Sequence, residues 1–460
     1  MPISRRFSPA RLSCVVLLAL LAAPGAAFAK PPNVLVVTTD DQTVSQMDVM
    51  SRTNRLLGRD GTTFANAFVA FPQCCPSRAS FLSGQYPHNH GVAERFEREV
   101  DNYRAFNARE SLPVWLGRAG YATAQVGRYL NGYGRGDGRT EIPLGWDSWV
   151  APVDHTEFKY YDYTLNVNGR LVDYGSAARD YQTDVIADFA VDYVDERARK
   201  GRPFFLNVSP VAPHRERGRE CDVKRTPRPA PRHTNLFEDR AFPRTPSFNE
   251  QDMSDKPAIY RAREEVSEQC IDKGWQSELE SLQAVDELVG RMVRSLRRAG
   301  EFEETLFVFT SDNGLMHGEH RLPFLKRVPY EEAIRVPLIV SGPGFESGTR
   351  NEMVSNIDLA PTILEQARAR AGRGHVLDGR PLGSTPFRSE LLVEERGWSA
   401  LRSPTGIFVQ YKTGERELYD LVGDPFQTSS LHEDPMLAPL VSELSDRLAE
   451  IEDCRGAECP

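Results

Sequence analysis

Two buried-strand patterns, each followed by oxygen-bearing side chains, constrain the fold of this 460-residue chain more than any other feature. Asn33–Thr39 (NVLVVTT) and Thr305–Thr310 (TLFVFT) are apolar, β-branched runs without sustained polar alternation, typical of strands covered on both faces in a parallel sheet. The polar residues that follow these two runs are Asp40 and Asp41, and Asp312 and Asn313. Ligands of open α/β sheets bind beyond the carboxyl ends of strands. The two strands therefore predict one shared site.

Adjacent carboxylates such as Asp40 and Asp41 repel each other unless a cation joins them. An isolated Asp-Asp pair is more often a solvated turn, but a second strand end with an aspartate and an asparagine favours a hard cation. Carboxylate and amide oxygens suit Ca²⁺, which accepts six to eight of them, better than Mg²⁺, which demands a stricter octahedron.

A short helix with reactive groups at its start is predicted at 74–84 (CCPSRASFLSG). Pro76 suits a first helical turn, and the unpaired N–H groups there favour an anion. Arg78 adds a permanent charge and a planar fork of donors. Taken alone, Cys74 and Cys75 would more often be half of a disulfide and a buried neighbour than a nucleophile.

The spacing of Cys74, Pro76, Ser77, Arg78 and Gly84 resembles the signature of the type I sulfatases. The resemblance implies that Cys74 is oxidised to formylglycine, whose hydrate is the nucleophile. It also implies a calcium site made by Asp40, Asp41, Cys74, Asp312 and Asn313. The further residues that it implies are Arg78, Arg128, His214 and Lys326 as catalytic residues, and Ser77 and His317 as substrate-binding residues. Arg128 stands where the family usually has a lysine.

The fold implied by the resemblance is α/β, with an alkaline-phosphatase-like central mixed, mostly parallel sheet flanked by helices and a smaller C-terminal α+β subdomain. Residues 30–380 would form the catalytic domain and 381–460 the subdomain. Residue patterns predict helices at 111–119, 181–194, 276–299 and 358–368 and strands at 121–126, 204–208 and 336–340. They also predict an antiparallel hairpin of 407–412 with 417–421. A closing amphipathic helix carries Leu440, Leu444, Leu448 and Ile451.

The N-terminus predicts export. Residues 1–29 combine early arginines, a short apolar run and Ala27-Phe28-Ala29, typical of a cleaved signal peptide, and no second long apolar run predicts a membrane span. The expected location is secreted or periplasmic. Disulfides are then plausible for Cys454 with Cys459 and for Cys221 with Cys270, although sequence does not determine the pairing. A net charge of −9 argues against nucleic-acid binding.

The substrate class follows from the branch that the motifs resemble. Residues 74–80, 86–91 and 128–131 are similar to the N-acetylglucosamine-6-sulfatase branch, which implies a sulfated saccharide and a formylglycine-generating enzyme as partner. The alternatives are an arylsulfatase, a phosphodiesterase or phosphonate monoester hydrolase of the same superfold, and a non-catalytic sulfoglycan-binding protein. The basic stretch 215–232 is either a solvated loop or a rim that attracts a polysulfated chain.

Overall fold

The computed structural model describes Met1 and residues 30–92, 102–216 and 226–460. The predicted signal peptide falls almost wholly outside the described residues, as do Cys221 and four of the basic residues of the 215–232 stretch, Arg217, Arg219, Lys224 and Arg225. Among the described residues, no helix is long and apolar enough to cross a lipid bilayer.

The described residues build a large sheet of ten strands and a small sheet of four. The strands are β1 (Asn33–Thr39), β2 (Thr62–Phe68), β3 (Ala122–Gly127), β4 (Ser148–Pro152), β5 (Tyr163–Val167), β6 (Arg170–Tyr174), β7 (Phe204–Ser209), β8 (Thr305–Ser311), β9 (Leu338–Ser341), β10 (Gly348–Ser355), β11 (Leu391–Glu395), β12 (Trp398–Arg402), β13 (Gly406–Tyr411) and β14 (Arg416–Asp420).

The large sheet is mixed and mostly parallel, in the order β10-β2-β9-β8-β1-β7-β3-β4-β5-β6. Its centre, β8-β1-β7-β3-β4, is parallel throughout, while β9, β5 and β6 pair antiparallel with their neighbours. The two strands that the sequence predicted at the site are direct neighbours, with Thr39 opposite Ser311. The predicted fold class is therefore confirmed, and the carboxyl ends of four parallel strands lie side by side.

Helices cover both faces of the large sheet. The helices are α1 (Ser51–Thr53), α2 (Cys74–Ser83), α3 (Pro87–His90), α4 (Asn102–Ala105), α5 (Leu112–Arg118), α6 (Gln182–Lys200), α7 (Ala258–Arg261), α8 (Glu268–Arg298), α9 (Glu331–Ile334), α10 (Leu359–Gln366) and α11 (Ala438–Ile451). Leu35 and Val37 of β1 pack with α6 and α8, and Val34 and Val36 pack with α2, α5 and α10. This two-sided burial explains why β1 has no polar alternation.

Three details of the predicted helices are wrong. Helix α8 begins at Glu268, eight residues before the predicted start, because the Ser267 side chain accepts a hydrogen bond from the Cys270 amide and caps the helix earlier. Asp358 does not cap α10 with its side chain; it binds the Ser355 amide at 2.8 Å and pairs with Arg388. Leu440 is 41 % exposed, so it lies outside the buried face of α11.

The C-terminal sheet β11-β12-β13-β14 is antiparallel and contains the predicted hairpin. One face, with Leu401 and Phe408, packs against α11, and the other, with Ala400 and Val409, packs against the segment around Tyr330. Cys454 and Cys459 form a disulfide, and Cys270 is also disulfide-bonded. Residues Pro31–Pro460 form one compact unit, and a division at residue 380 stays a prediction.

Helix α3 joins the large sheet's helices to the C-terminal region through His88. Its Nδ1 lies 2.9 Å from Glu394 at the end of β11, and its Nε2 lies 2.8 Å from the Cys454 carbonyl oxygen. Burial alone would lower the pKa of His88, but the hydrogen bond and charge of Glu394 outweigh burial and raise it from 6.5 to about 9. The imidazolium therefore stabilises the folded state near neutral pH.

We expect His88→Gln to lower the free energy of unfolding by about 1.5 to 3 kcal/mol below pH 6.5, the scale of a hydrogen bond to a charged group. Because the folded pKa is raised, the stabilisation is complete below 6.5 and is lost as the pH rises through 9. Urea unfolding from pH 6 to pH 10 measures the difference. The control is His155→Asn at an exposed histidine with positive φ. A His88→Gln deficit that stays constant over this pH range contradicts the assignment.

Candidate active site

Four adjacent strands place polar side chains at one edge of the large sheet. Asp40 and Asp41 follow β1, Asp312 and Asn313 follow β8, Arg128 follows β3, and His214 lies five residues beyond β7. Since the order of these strands is β8-β1-β7-β3 and all pairs are parallel, their carboxyl ends meet. The convergence arises from topology, because residues more than 270 positions apart become neighbours.

Helix α2 brings Cys74 to this edge. The helix begins at Cys74, is buried along its whole length, and ends before Gly84, which adopts φ 68°, a backbone conformation that glycine reaches without strain. The Cys74 Sγ lies 3.4 Å from Asp40 Oδ1 and 3.9 Å from Asp41 Oδ1. Asp40, Asp41, Cys74 and His214 each offer one ligand atom within 4.8 Å of the others.

Two arginines, Arg78 and Arg128, form ion pairs with the carboxylates of Asp40 and Asp312. Arg78 donates from Nε to Asp312 at 2.8 Å and from Nη2 to Asp40 at 3.2 Å. Arg128 pairs with Asp40 and donates from Nη2 to the Asn131 side chain at 2.6 Å. Arg78 also donates to the Arg128 carbonyl oxygen, so the two guanidinium groups form one buried layer with the aspartates. While one terminal nitrogen of Arg128 pairs with Asp40, the other therefore reaches Asn131. The single ammonium group of a lysine would not reach both partners at the same time.

Lys326 and His214 complete the group from two loops. Lys326 Nζ lies 2.5 Å from Asp41 Oδ1 and 2.8 Å from Cys74 Sγ. His214 Nε2 lies 3.5 Å from Asp41 Oδ2, while its Nδ1 lies 2.6 Å from the Arg215 carbonyl oxygen. A carbonyl oxygen only accepts, so Nδ1 carries a hydrogen and Nε2 faces the site. The ring of Phe158 stacks on His214 at 4.4 Å and lies 4.3 Å from the Arg128 guanidinium carbon.

The charges around Asp40 set the protonation of the site. Burial would raise the pKa of Asp40, but Arg128, His214, Arg78 and Lys326 together hold it well below the usual range. Asp312 behaves differently, since burial and the nearby Asp40 charge raise its pKa to about 6. Burial lowers the pKa of His214 to about 4, so the ring is neutral at pH 7.

Cys74 itself is a poor nucleophile as an unmodified thiol. Burial and the charge of Asp40 raise its pKa well above the ordinary value, although Lys326 acts in the opposite direction. Thiol nucleophiles react as thiolates, whose formation is favoured by a lowered pKa. The surroundings of Cys74 therefore favour the thiol over the reactive thiolate.

The residues present fit an oxygen-liganded cation. The Asn313 amide nitrogen donates to Asp41 at 2.7 Å and to the Gly314 carbonyl oxygen at 2.8 Å. Its Oδ1 is buried and has no hydrogen-bond partner among the described residues. A buried acceptor without a donor is costly, and a cation beside Asp40, Asp41 and Asp312 would satisfy it.

Two residues that the family resemblance implied lie outside this hydrogen-bonded group. The Ser77 hydroxyl accepts a hydrogen bond from Asn356 at 2.9 Å. His317 Nε2 lies 2.6 Å from Glu278, and its ring stacks on Phe242 at 5.2 Å. Their substrate-binding role stays a prediction.

Three contacting residues were not assigned from the sequence. Asn131 lies three positions after Arg128 in the same motif, so its place beside that arginine was accessible from spacing. Asn356 contacts Ser77 across 279 positions, and Phe158 precedes a strand without a distinctive motif. The last two carry no local signal.

Comparisons with known proteins identify the family of this chain. The sulfatase family model matches residues 32–369. A human N-acetylglucosamine-6-sulfatase is 31 % identical over 99 % of this chain and 92 % of its own.

Solved structures share the fold. A protein in complex with its substrate D-glucosamine-2-N,6-O-disulfate superposes with TM-score 0.74 at 23 % identity, over 92 % of this chain and 97 % of its own. The phosphonate monoester hydrolase of Agrobacterium radiobacter superposes with TM-score 0.69 at 17 % identity, over 91 % of this chain and 95 % of its own. The family model and the full-length relative, together with the cluster around Cys74, show that this chain belongs to the sulfatase family and is a sulfuric ester hydrolase.

Proposed function

We propose that this sulfatase removes a sulfate ester from a saccharide of the N-acetylglucosamine 6-sulfate type, with Cys74 converted to formylglycine and Ca²⁺ bound beside it. The observation that carries the proposal is the position of Cys74, within hydrogen-bonding distance of Lys326 and next to Asp40 and Asp41. The full-length similarity to a relative named for N-acetylglucosamine-6-sulfate chemistry supports the substrate class.

Ca²⁺ and formylglycine would supply a Lewis acid and an oxygen nucleophile, which the unmodified side chains of the cluster do not provide. Asp40, Asp41, Asp312, Asn313 and residue 74 would hold Ca²⁺, which supplies Lewis-acid stabilisation of negative charge. Hydrated formylglycine supplies an oxygen nucleophile, which a buried protonated thiol does not.

The positively charged side chains of the cluster would stabilise negative charge during sulfate transfer. Negative charge spreads over the transferring group and the leaving oxygen, and fixed positive groups in a buried site stabilise it strongly. We infer that Lys326 contacts the sulfate, since its Nζ lies 2.8 Å from Cys74 Sγ and its side chain is 18 % exposed. Arg78 and Arg128 are more deeply buried and would orient the carboxylates.

We infer that His214 delivers a proton to the leaving oxygen. Its Nε2 faces the site, while the Arg215 carbonyl oxygen fixes the other nitrogen. The ring is neutral without substrate because burial lowers its pKa to about 4. A sulfate anion beside the ring would favour the imidazolium and raise that pKa, which is the direction that proton donation to the leaving oxygen needs.

Export and maturation complete the proposal. Residues 1–29 have the pattern of a signal peptide, so we infer a secreted or periplasmic enzyme. A formylglycine-generating enzyme would be the required partner. Phosphonate hydrolysis is less well supported, because that neighbour is 17 % identical whereas the sulfatase relative is 31 % identical.

Replacing Cys74 tests the nucleophile. We expect Cys74→Ala and Cys74→Ser to abolish sulfate release, because both remove the thiol that the formylglycine-generating enzyme would convert. Cys75→Ala is the matched control at the adjacent buried cysteine and should keep most of the activity. Turnover per folded protein is measured after co-expression with a formylglycine-generating enzyme. Full activity of Cys74→Ser, or loss confined to Cys75→Ala, would overturn the assignment.

Substrate choice tests the proposed branch. We expect kcat/KM for N-acetylglucosamine 6-sulfate to exceed that for a chromogenic aryl sulfate and for a phosphonate monoester, because the motifs and the full-length relative point to a sulfated sugar. Sulfate or phosphonate release by one protein preparation gives all three values. Activity on the aryl ester alone would contradict the saccharide proposal and leave the general sulfatase assignment intact.

A further inference from the structure

The loop that carries Lys326 has no regular secondary structure of its own. Residues 325–330 belong to no helix or strand, and Arg327 adopts φ 69°, which is uncommon for a residue with a side chain. The position of the Lys326 ammonium group therefore depends on contacts that the loop makes with other parts of the chain. Several of those contacts come from the C-terminal sheet.

Strands β11 and β12 hold the residue next to Lys326. Trp398 donates from Nε1 to the Arg327 carbonyl oxygen at 3.1 Å, and Glu395 accepts from Arg327 Nε at 2.7 Å. The Arg327 amide in turn donates to the Pro72 carbonyl oxygen at 3.0 Å, two residues before Cys74. Arg327 thus links the C-terminal sheet to Lys326, its neighbour in sequence, and to the segment just before Cys74.

Strand β14 fixes the far end of the same loop. Tyr330 donates its hydroxyl to Glu417 at 3.0 Å, and Tyr411 and Tyr419 donate to the same carboxylate at 2.5 and 2.6 Å. Glu417 is fully buried, so these three hydroxyl groups satisfy a carboxylate that water does not reach. The C-terminal sheet therefore holds the loop at Arg327, directly after Lys326, and again at Tyr330. On the other side of Lys326, the Leu325 carbonyl oxygen accepts a hydrogen bond from the Met316 amide at 2.8 Å.

We propose that Glu395 and Trp398 are positioning residues for Lys326, so that the C-terminal sheet takes part in sulfate ester hydrolysis without touching the substrate. The inference rests on the proposed role of Lys326 at the sulfate. Its physical basis is that a displacement of about 1 Å at a catalytic group costs up to about a hundredfold in rate.

A second Arg–Glu pair in the same region provides a matched control. Arg447 of α11 pairs with Glu390, directly before β11, at 2.6 Å. This pair ties the same sheet to a helix but does not contact residues 325–330. Glu390→Gln therefore removes a comparable interaction without loosening the Lys326 loop.

The test is a double-mutant cycle between Lys326→Ala and either Trp398→Phe or Glu395→Gln, with kcat, KM and thermal midpoint measured for each variant of the formylglycine-converted enzyme. We expect each positioning variant to lower kcat between about tenfold and a hundredfold. We expect that loss to vanish in the Lys326→Ala background, because coupled residues are not additive. Glu390→Gln should leave kcat unchanged.

Hydrogen exchange gives a readout that does not depend on turnover. The amide hydrogens of residues 325–328 and 330 should exchange faster in Glu395→Gln than in Glu390→Gln, while exchange in α2 stays the same. Should Trp398→Phe fail to fold, Glu395→Gln provides both measurements.

The outcomes separate the two proposals. If Lys326→Ala keeps the original kcat, the proposed role of Lys326 fails and the positioning inference fails with it. If Lys326→Ala is impaired but the effects of Glu395→Gln and Trp398→Phe simply add to it, only the positioning inference is overturned. Equal losses of kcat in Glu390→Gln and Glu395→Gln also overturn the inference, because they indicate a general structural effect.

Discussion

The buried balance of charge at the carboxyl ends of β1 and β8 is the interaction on which the rest of the site depends. Asp40, Asp41 and Asp312 face Arg78, Arg128 and Lys326, so three negative and three positive groups share one enclosed space. Breaking one buried ion pair leaves an uncompensated charge, which is strongly unfavourable. Within this cluster, Asn313 Oδ1 is a buried acceptor without a partner among the described residues, and a divalent cation there would leave the cluster net positive. That is the charge state that an incoming sulfate ester requires.

The fold supplies this balance by bringing distant parts of the chain together. The carboxylates come from parallel strand ends, the arginines from α2 and the end of β3, and the lysine from a loop fastened to the C-terminal sheet. Burial of both faces of β1 places the central strands in the core, and His88 ties the α2 region to the C-terminal disulfide loop. The small sheet thereby contributes to stability and, by our inference, to the alignment of Lys326.

Sequence patterns predicted the parts of this arrangement that depend on local signals. The strands before Asp40 and Asp312, the helix beginning at Cys74 and its glycine stop were all visible in residue order, and parallel topology then implied convergence. The start of α8 was wrong because the Ser267 cap lies outside the regular apolar repeat. The Phe158 stack and the Asn356 contact were inaccessible, since neither has a spacing that marks it. The contacts of Glu395 and Trp398 with Arg327 arise only from tertiary packing.

The most direct test of the charge-balance account is the thermal unfolding of metal-free protein with and without Ca²⁺. At a hundred times the dissociation constant, binding adds about 2.7 kcal/mol, which raises the midpoint by about 3 °C for a chain of this size. We expect that shift with Ca²⁺, a smaller one with the same concentration of Mg²⁺, and a reduced one in Asn313→Ala, which removes the unsatisfied oxygen. An identical Ca²⁺ shift in Asn313→Ala and wild type, or no shift in wild type, would contradict a cation site at this cluster.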